Sequence, residues 1–145
     1  PVAYESYLKK VANELGIANE TLFLGFINTH DIIRTLYRGA DVFVYPSAIE
    51  SFGHPLLESM ASGTPVVAAD RYAIPEVVGD AAVLIYPDNI EDIAESIYKI
   101  IIEDNFRDNL VSNGLERASN FSWEKTAQQT LEILEGVAFR SRFLR

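Results

Sequence analysis

Two glutamates, Glu50 and Glu58, are the residues of this sequence whose type and spacing best suit chemistry. Glu50 lies in a polar loop after a strand-like run that ends at Pro46, and Glu58 lies in a helix predicted to begin near Pro55. The start of a helix carries unpaired amide groups and a partial positive charge, which together suit a phosphate. A diphosphate bound there would leave one carboxylate on each side, and carboxylates are good acceptors for paired sugar hydroxyls. The same spacing is also typical of a solvated loop glutamate and a first-turn glutamate favoured by the helix dipole.

The elements around this pair predict where a ligand would bind. Residues 41–45 are predicted to form one strand and residues 66–69 a second strand. Gly53 predicts a backbone turn that a residue with a Cβ would resist, and the helix after it is predicted to stop near Gly63. Ligands of parallel α/β sheets bind at the carboxyl ends of strands and at helix N-termini. The loop 46–54 is therefore the predicted site.

The run E-S-F-G-H-P-L-L-E-S-M-A-S-G-T-P-V-V, residues 50–67, resembles the signature of the retaining glycosyltransferases of family 4. Members of that family have the two-domain GT-B fold. The resemblance implies that residues 1–145 form most of the C-terminal, nucleotide-sugar-binding domain. It also implies that the first βαβ unit of that domain and the whole acceptor-binding N-terminal domain are absent from the chain.

The resemblance also implies roles for individual residues. Glu50 is expected to be the catalytic residue beside the donor sugar, and Glu58 is expected to hold the ribose of the nucleotide. Further donor contacts are expected from Ser51, Phe52, Gly53, His54, Leu56, Gly25 and Phe26. The last two match the place where the family's main chain contacts the nucleobase, although a strand end and a core aromatic would explain them equally well. Tyr72 stands where many members have a small residue, which leaves the sugar contact at that place open.

The order of elements predicts an α/β fold. Four strands, at 21–24, 41–45, 66–69 and 83–86, alternate with helices and predict a Rossmann-like parallel sheet with helices on both faces. Asp88 with Glu91 is predicted to open one helix, and Ser122 is predicted to cap the last long helix. In a helix over 105–118 the sequence predicts that Leu115 faces inward and that Gly114 weakens the helix. Trp123 is predicted to pack in the core.

Composition excludes several other functions. The net charge is −9, from 21 acidic and 12 basic side chains, which argues against binding nucleic acid through its phosphates. The chain has no cysteine, and His30 and His54 do not have the spacing of a zinc site. Asp-x-Asp, the metal–nucleotide signature of the other large glycosyltransferase fold, does not occur. We therefore expect no metal and no cofactor, with a nucleotide diphosphate sugar as the substrate.

The sequence thus predicts the donor-binding part of a retaining glycosyltransferase that moves a hexose from a nucleotide diphosphate sugar to an acceptor such as a glycan or a lipid. Two alternatives stay open. One is a non-catalytic Rossmann-like module that binds a nucleotide or a protein partner, and the other is a sugar-nucleotide epimerase of the same fold.

The predicted partners are the nucleotide sugar and the missing N-terminal domain. Without that domain we expect no activity, because transfer needs both domains around donor and acceptor. Strand 21–24 would lack a neighbour, so we expect self-association or poor order around residues 1–25. The start at Pro1 indicates a fragment, and no signal peptide is visible. We expect a cytoplasmic location. Peripheral association with the membrane through the missing domain stays open.

Overall fold

The structure is a computed structural model that describes residues 2–143. The chain divides into two compact units, Pro1–Ile32 and Ile33–Arg145. Among the described residues, no helix is long and apolar enough to cross a membrane.

The first unit contains helix α1, Val2–Glu14, and Gly16, two residues beyond its end, has a left-handed φ of 74°. Residues 21–29 form no regular structure, so the prediction of a strand at 21–24 is wrong. A strand is defined by the ladder it makes with a neighbour, and no strand within the described part of the chain pairs with these residues. Leu22 and Leu24 are accordingly exposed. Helix α2, His30–Gly39, begins at the end of this unit.

The second unit is built on a parallel sheet. Its strands are β1 (Phe43–Tyr45), β2 (Val66–Ala69) and β3 (Val83–Ile85), in the order β1-β2-β3. Tyr45 pairs with Ala68, and Ala68 pairs with Leu84. The central strand β2 is buried along its whole length, as expected of an apolar run covered on both faces.

Among the described residues, five helices follow in this unit. They are α3 (His54–Ala61), α4 (Ile74–Val78), α5 (Ile90–Ile102), α6 (Asp104–Ser119) and α7 (Trp123–Phe143). Of these, α3, α4 and α5 pack directly against the strands. One buried cluster joins Leu56 and Met60 of α3 to Ala68 of β2. A second cluster joins Val67 of β2 to Ile100 of α5. Because Val67 and Ala68 are neighbours in one strand, the clusters lie on opposite faces of the sheet, which confirms the predicted layers.

Two local predictions are wrong, and a third stays a prediction. Gly114, which the sequence predicts to weaken its helix, lies buried against α3, where an added Cβ would be 3.3 Å from Met60 Cγ, so it permits close helix packing. Leu115, one residue on, is therefore turned outward and exposed. The cap of α5 is Asn89, whose Oδ1 accepts a hydrogen bond from the Asp92 amide at 3.2 Å, and Asp88 lies outside the helix.

The predicted cap of α7 is confirmed, since Ser122 Oγ accepts a hydrogen bond from the Lys125 amide at 3.1 Å. The prediction that Trp123 packs in the core is wrong, because its side chain is 75% exposed. It lies at the first position of α7, a helix whose residues 123–138 are all exposed, and its ring stacks on His54.

Candidate functional site

The sharp turn between β1 and α3 depends on one glycine. Gly53 has φ 89° and ψ 55°, in the left-handed region, and it caps the start of α3. A Cβ added there would lie 2.7 Å from Leu56 Cδ1, too close for any real contact. Pro55 occupies the first turn of the helix, where a missing amide hydrogen is tolerated. The predicted need for glycine at this turn is confirmed.

Glu50 is fixed in place by three hydrogen bonds from its own surroundings. Its Oε2 accepts the hydroxyl of Tyr45 at 2.6 Å. Its Oε1 accepts the backbone amides of Ser51 at 2.9 Å and Phe52 at 3.2 Å. A carboxylate offers about four acceptor positions, and Oε2, which accepts the Tyr45 hydroxyl, has room for a ligand donor as well. Glu50 can therefore bind a hydroxyl without leaving its place.

These contacts also set the charge of Glu50. The Tyr45 hydroxyl, followed by the Phe52 amide, lowers the pKa of Glu50 from its usual value because both stabilise the ionised carboxylate. The same hydrogen bond is the largest cause that raises the pKa of Tyr45. The pair is thus a neutral hydroxyl donor and an anionic acceptor near neutral pH.

Glu58 has much weaker support. Its side chain is exposed in α3, and its Oε2 receives the Tyr37 hydroxyl only at 3.5 Å, the outer limit of a hydrogen bond. Burial of Tyr37, and then the nearby charge of Glu58, raise the pKa of Tyr37 to about 12. Tyr37 is therefore a neutral donor, and Glu58 is free to turn toward other donors.

An aromatic groove adjoins Glu58. It has a volume of about 260 Å³ and lies between the start of α3 and the start of α7. The Phe52 and His54 rings lie 4.8 Å apart between centroids, and the His54 and Trp123 rings stack at 6.0 Å. The groove is lined by Phe52, His54, Leu57, Glu58, Ala61, Ala118, Phe121, Ser122, Trp123 and Thr126.

The structure brings most of the predicted motif residues together. Glu50, Ser51, Phe52, Gly53 and His54 form one continuous loop and helix start, one turn from Glu58. Leu56 is the exception. Its side chain is fully buried in the core and its amide donates to the Gly53 carbonyl at 3.0 Å, so the prediction that Leu56 contacts a donor is not supported. Its apolar side chain anchors α3 to the sheet.

Gly25 and Phe26 lie in the first compact unit. Gly25 has a left-handed φ of 65°, which fits the requirement for glycine there. Phe26 is 93% exposed, so the alternative explanation that it is an aromatic residue of the core is wrong. Tyr72, beyond the carboxyl end of β2, is also exposed and has a left-handed φ of 51°, which is unusual for a bulky residue.

Sequence reasoning missed Tyr37 and Tyr45, the two hydroxyl donors. Tyr45 could have been noticed as the last residue of a predicted strand, one position before the loop that carries Glu50. Tyr37 lies on a different helix, and the sequence carries no signal for its approach to Glu58.

The site as a whole offers two carboxylates, the start of a helix and aromatic walls. No group of three His, Cys, Asp or Glu side chains that could hold a metal occurs among residues 2–143. This arrangement suits a ligand that has both an anionic part and hydroxyl groups.

Comparison with known proteins identifies the family to which this sequence is similar. The sequence profile described as "Glycosyl transferases group 1" matches residues 2–117. The O-antigen chain mannosyltransferase B of Escherichia coli is 39% identical over 109 residues, which is 75% of this chain and 28% of that protein. The D-inositol 3-phosphate glycosyltransferase of Saccharomonospora viridis is 38% identical over 141 residues, 94% of this chain and 32% of that protein. The chain therefore spans about a third of the length of these relatives.

A solved structure agrees with the family match. The Anabaena protein HepE in complex with UDP-glucose superposes with a TM-score of 0.84 at 29% identity, over 92% of this chain and 37% of that one. The three-stranded parallel sheet and its helices thus correspond to part of a larger fold.

Proposed function

The chain belongs to the group 1 glycosyl transferases, and from this premise we propose that it is the donor-binding part of an enzyme that transfers a hexose from a nucleoside diphosphate sugar to an acceptor. The observation that carries the proposal is the placement of Glu50 and Glu58 on either side of the Gly53 turn that opens α3. One carboxylate is held rigidly and the other is free, so the two suit different parts of one ligand.

The start of α3 is the proposed place of the diphosphate. The helix dipole places a partial positive charge at this end of the helix, which favours an anion. In the transfer reaction negative charge develops on the leaving diphosphate, and fixed dipoles aimed at that charge lower the barrier. Backbone amides do this without a metal, and we propose that none is needed.

Glu58 is the proposed ribose ligand. Side chains of a helix lean toward its N-terminus, so Glu58 can reach back toward a nucleotide held at the start of α3. Its weak contact with Tyr37 is readily exchanged for ribose hydroxyls. Each charge-assisted hydrogen bond of this kind contributes about 1.5–3 kcal/mol.

Glu50 is the proposed ligand of the transferred sugar. Both of its oxygens already accept hydrogen bonds from the protein, which makes it a poor nucleophile and a good fixed acceptor for a sugar hydroxyl. We therefore propose that Glu50 positions the hexose and forms no covalent intermediate. We also propose that the anomeric configuration is retained, which proton NMR of the first product formed by the complete enzyme would test.

The relatives support a hexose donor. One of them is named a mannosyltransferase, and the similar HepE structure contains UDP-glucose. The nucleobase contact expected of Gly25 and Phe26 remains a prediction. The acceptor-binding domain is expected in the remaining two thirds of a protein of the relatives' length.

Titration of the 145-residue chain tests the proposal. We expect UDP or GDP, and their hexose derivatives, to shift the amide resonances of residues 51–58. Uridine and guanosine, which lack phosphate, serve as control ligands and are expected to shift them far less. If no nucleotide shifts these amides, the proposed function is wrong. If nucleotides bind but the complete enzyme transfers no sugar, a non-catalytic nucleotide-binding module is the correct description.

A further inference from the structure

Each glutamate of the site faces its own tyrosine hydroxyl, and both tyrosines contact one phenylalanine. Phe43 of β1 packs edge-on to Tyr37, with ring centroids 5.2 Å apart, and stacks on Tyr45 at 5.8 Å. We call Tyr37, Phe43 and Tyr45 the aromatic row. It connects α2 to β1 and ends in two hydroxyl groups.

The two hydroxyls act on their carboxylates to very different degrees. Tyr45 Oη lies 2.6 Å from Glu50 Oε2, the length of a strong bond between a hydroxyl and a charged acceptor. Tyr37 Oη lies 3.5 Å from Glu58 Oε2, where such a bond contributes little. The row therefore holds one carboxylate and leaves the other almost free.

We propose that Tyr45 is a positioning residue for the donor sugar, holding Glu50 in the one orientation that accepts the sugar hydroxyl, while Tyr37 leaves Glu58 free to close on the ribose. This inference rests on the proposed function. It adds a residue outside the glutamate motif and a division of roles between the two tyrosines.

Three observations support the role of Tyr45. It is the last residue of β1 and its backbone is fixed by pairing with Ala68, so its hydroxyl is held by the sheet and not by the loop. The amides of Ser51 and Phe52 donate hydrogen bonds to the other carboxylate oxygen. Any rotation of the Glu50 carboxylate would therefore break at least one of the three hydrogen bonds. The lowered pKa of Glu50 has the Tyr45 hydroxyl as its largest cause.

Tyr45→Phe is a clean perturbation, because it removes the hydroxyl and keeps the ring that stacks on Phe43. Tyr37→Phe is the matched control, since it removes the other hydroxyl of the same row. Both side chains are half-buried, so neither change leaves a large cavity.

The first readout is titration of the Glu50 carboxyl carbon by NMR in the 145-residue chain. We expect Tyr45→Phe to raise the pKa of Glu50, and Tyr37→Phe to leave it unchanged. A Glu50 that titrates identically in the parent chain and in Tyr45→Phe would overturn the inference while leaving the proposed function standing.

The second readout is made in the complete enzyme. We expect Tyr45→Phe to lower kcat about tenfold, as for loss of a single hydrogen bond to a charged group, with less than a twofold change in the affinity for the free nucleoside diphosphate. We expect Tyr37→Phe to lower kcat less than Tyr45→Phe does, because its hydroxyl contact is 3.5 Å long. Equal losses of kcat in the two variants, or a loss of nucleotide affinity confined to Tyr45→Phe, would overturn the division of roles. Failure of the parent chain to bind any nucleotide would overturn the proposed function, and this inference with it.

Discussion

Replacing Glu58 by glutamine is the substitution that separates the two carboxylates most clearly. Glu58 is exposed, and the hydrogen bond that it accepts from the Tyr37 hydroxyl is 3.5 Å long. Substitutions at such surface positions change the free energy of unfolding by no more than about 0.5 kcal/mol. Any loss of affinity in Glu58→Gln therefore reports on the ligand and not on the fold.

The expected size of the effect follows from the proposed hydrogen bonds. Two ribose hydroxyls on one carboxylate make two charge-assisted bonds of about 1.5–3 kcal/mol each, whereas neutral bonds contribute about 0.5–1.5 kcal/mol. Glutamine keeps the shape and one acceptor oxygen but removes the charge. The exposed position reduces the difference through solvent screening, so we expect affinity for a free nucleoside diphosphate to fall by about tenfold or more, which corresponds to roughly 1.4 kcal/mol.

Calorimetric titration of the nucleoside diphosphate measures this loss. Glu50→Gln is the informative comparison, because we expect it to leave nucleotide affinity nearly unchanged and to lower turnover in the complete enzyme. Glu76→Gln, in the first turn of α4, controls for the loss of one negative charge elsewhere. If Glu50→Gln loses nucleotide affinity and Glu58→Gln does not, the assignment of the two glutamates is reversed.

Three further substitutions test the packing and the electrostatics around the site. Gly53→Ala combines a left-handed backbone with a Cβ 2.7 Å from Leu56 Cδ1, so we expect urea denaturation to show a loss of about 2–4 kcal/mol, and an unchanged midpoint would contradict the geometry of the turn. Ser59→Ala removes a buried Oγ that has no hydrogen-bond partner within residues 2–143, so we expect a gain of about 1 kcal/mol, and a loss would mean that the hydroxyl is bonded. The raised pKa of Tyr37 favours its neutral form in the folded chain, so its contribution to stability is complete below its ordinary pKa of 10.0 and is lost as the pH rises through about 12. We therefore expect stability to fall less steeply over this range in Tyr37→Phe, and identical pH profiles would refute the assignment.

Local sequence signals were sufficient for the frame of the site. The apolar runs of β1, β2 and β3 and the glycine before α3 each predict their element without reference to distant residues, and all are present. The positions of Glu50 and Glu58 on a loop and on the following helix were predictable for the same reason.

Predictions that depended on distant partners were not recoverable from the sequence. Residues 21–24 have the composition of a strand, but a ladder needs a neighbour that pattern alone does not supply. Trp123 is a large aromatic residue, but its side chain is exposed and stacks on His54. Its burial depends on the direction of α7, which the local sequence does not determine. The Tyr45–Glu50 hydrogen bond depends on the conformation of the loop between them. The sequence predicts that this segment is irregular but not which conformation it adopts.

A crystal structure of this chain with a bound nucleoside diphosphate would test the central claim most directly. We expect diphosphate oxygens about 3 Å from backbone amides at the start of α3, and ribose hydroxyls at the same distance from the Glu58 carboxylate. A nucleotide bound elsewhere on the chain, with the start of α3 and Glu58 both free of it, would contradict the claim.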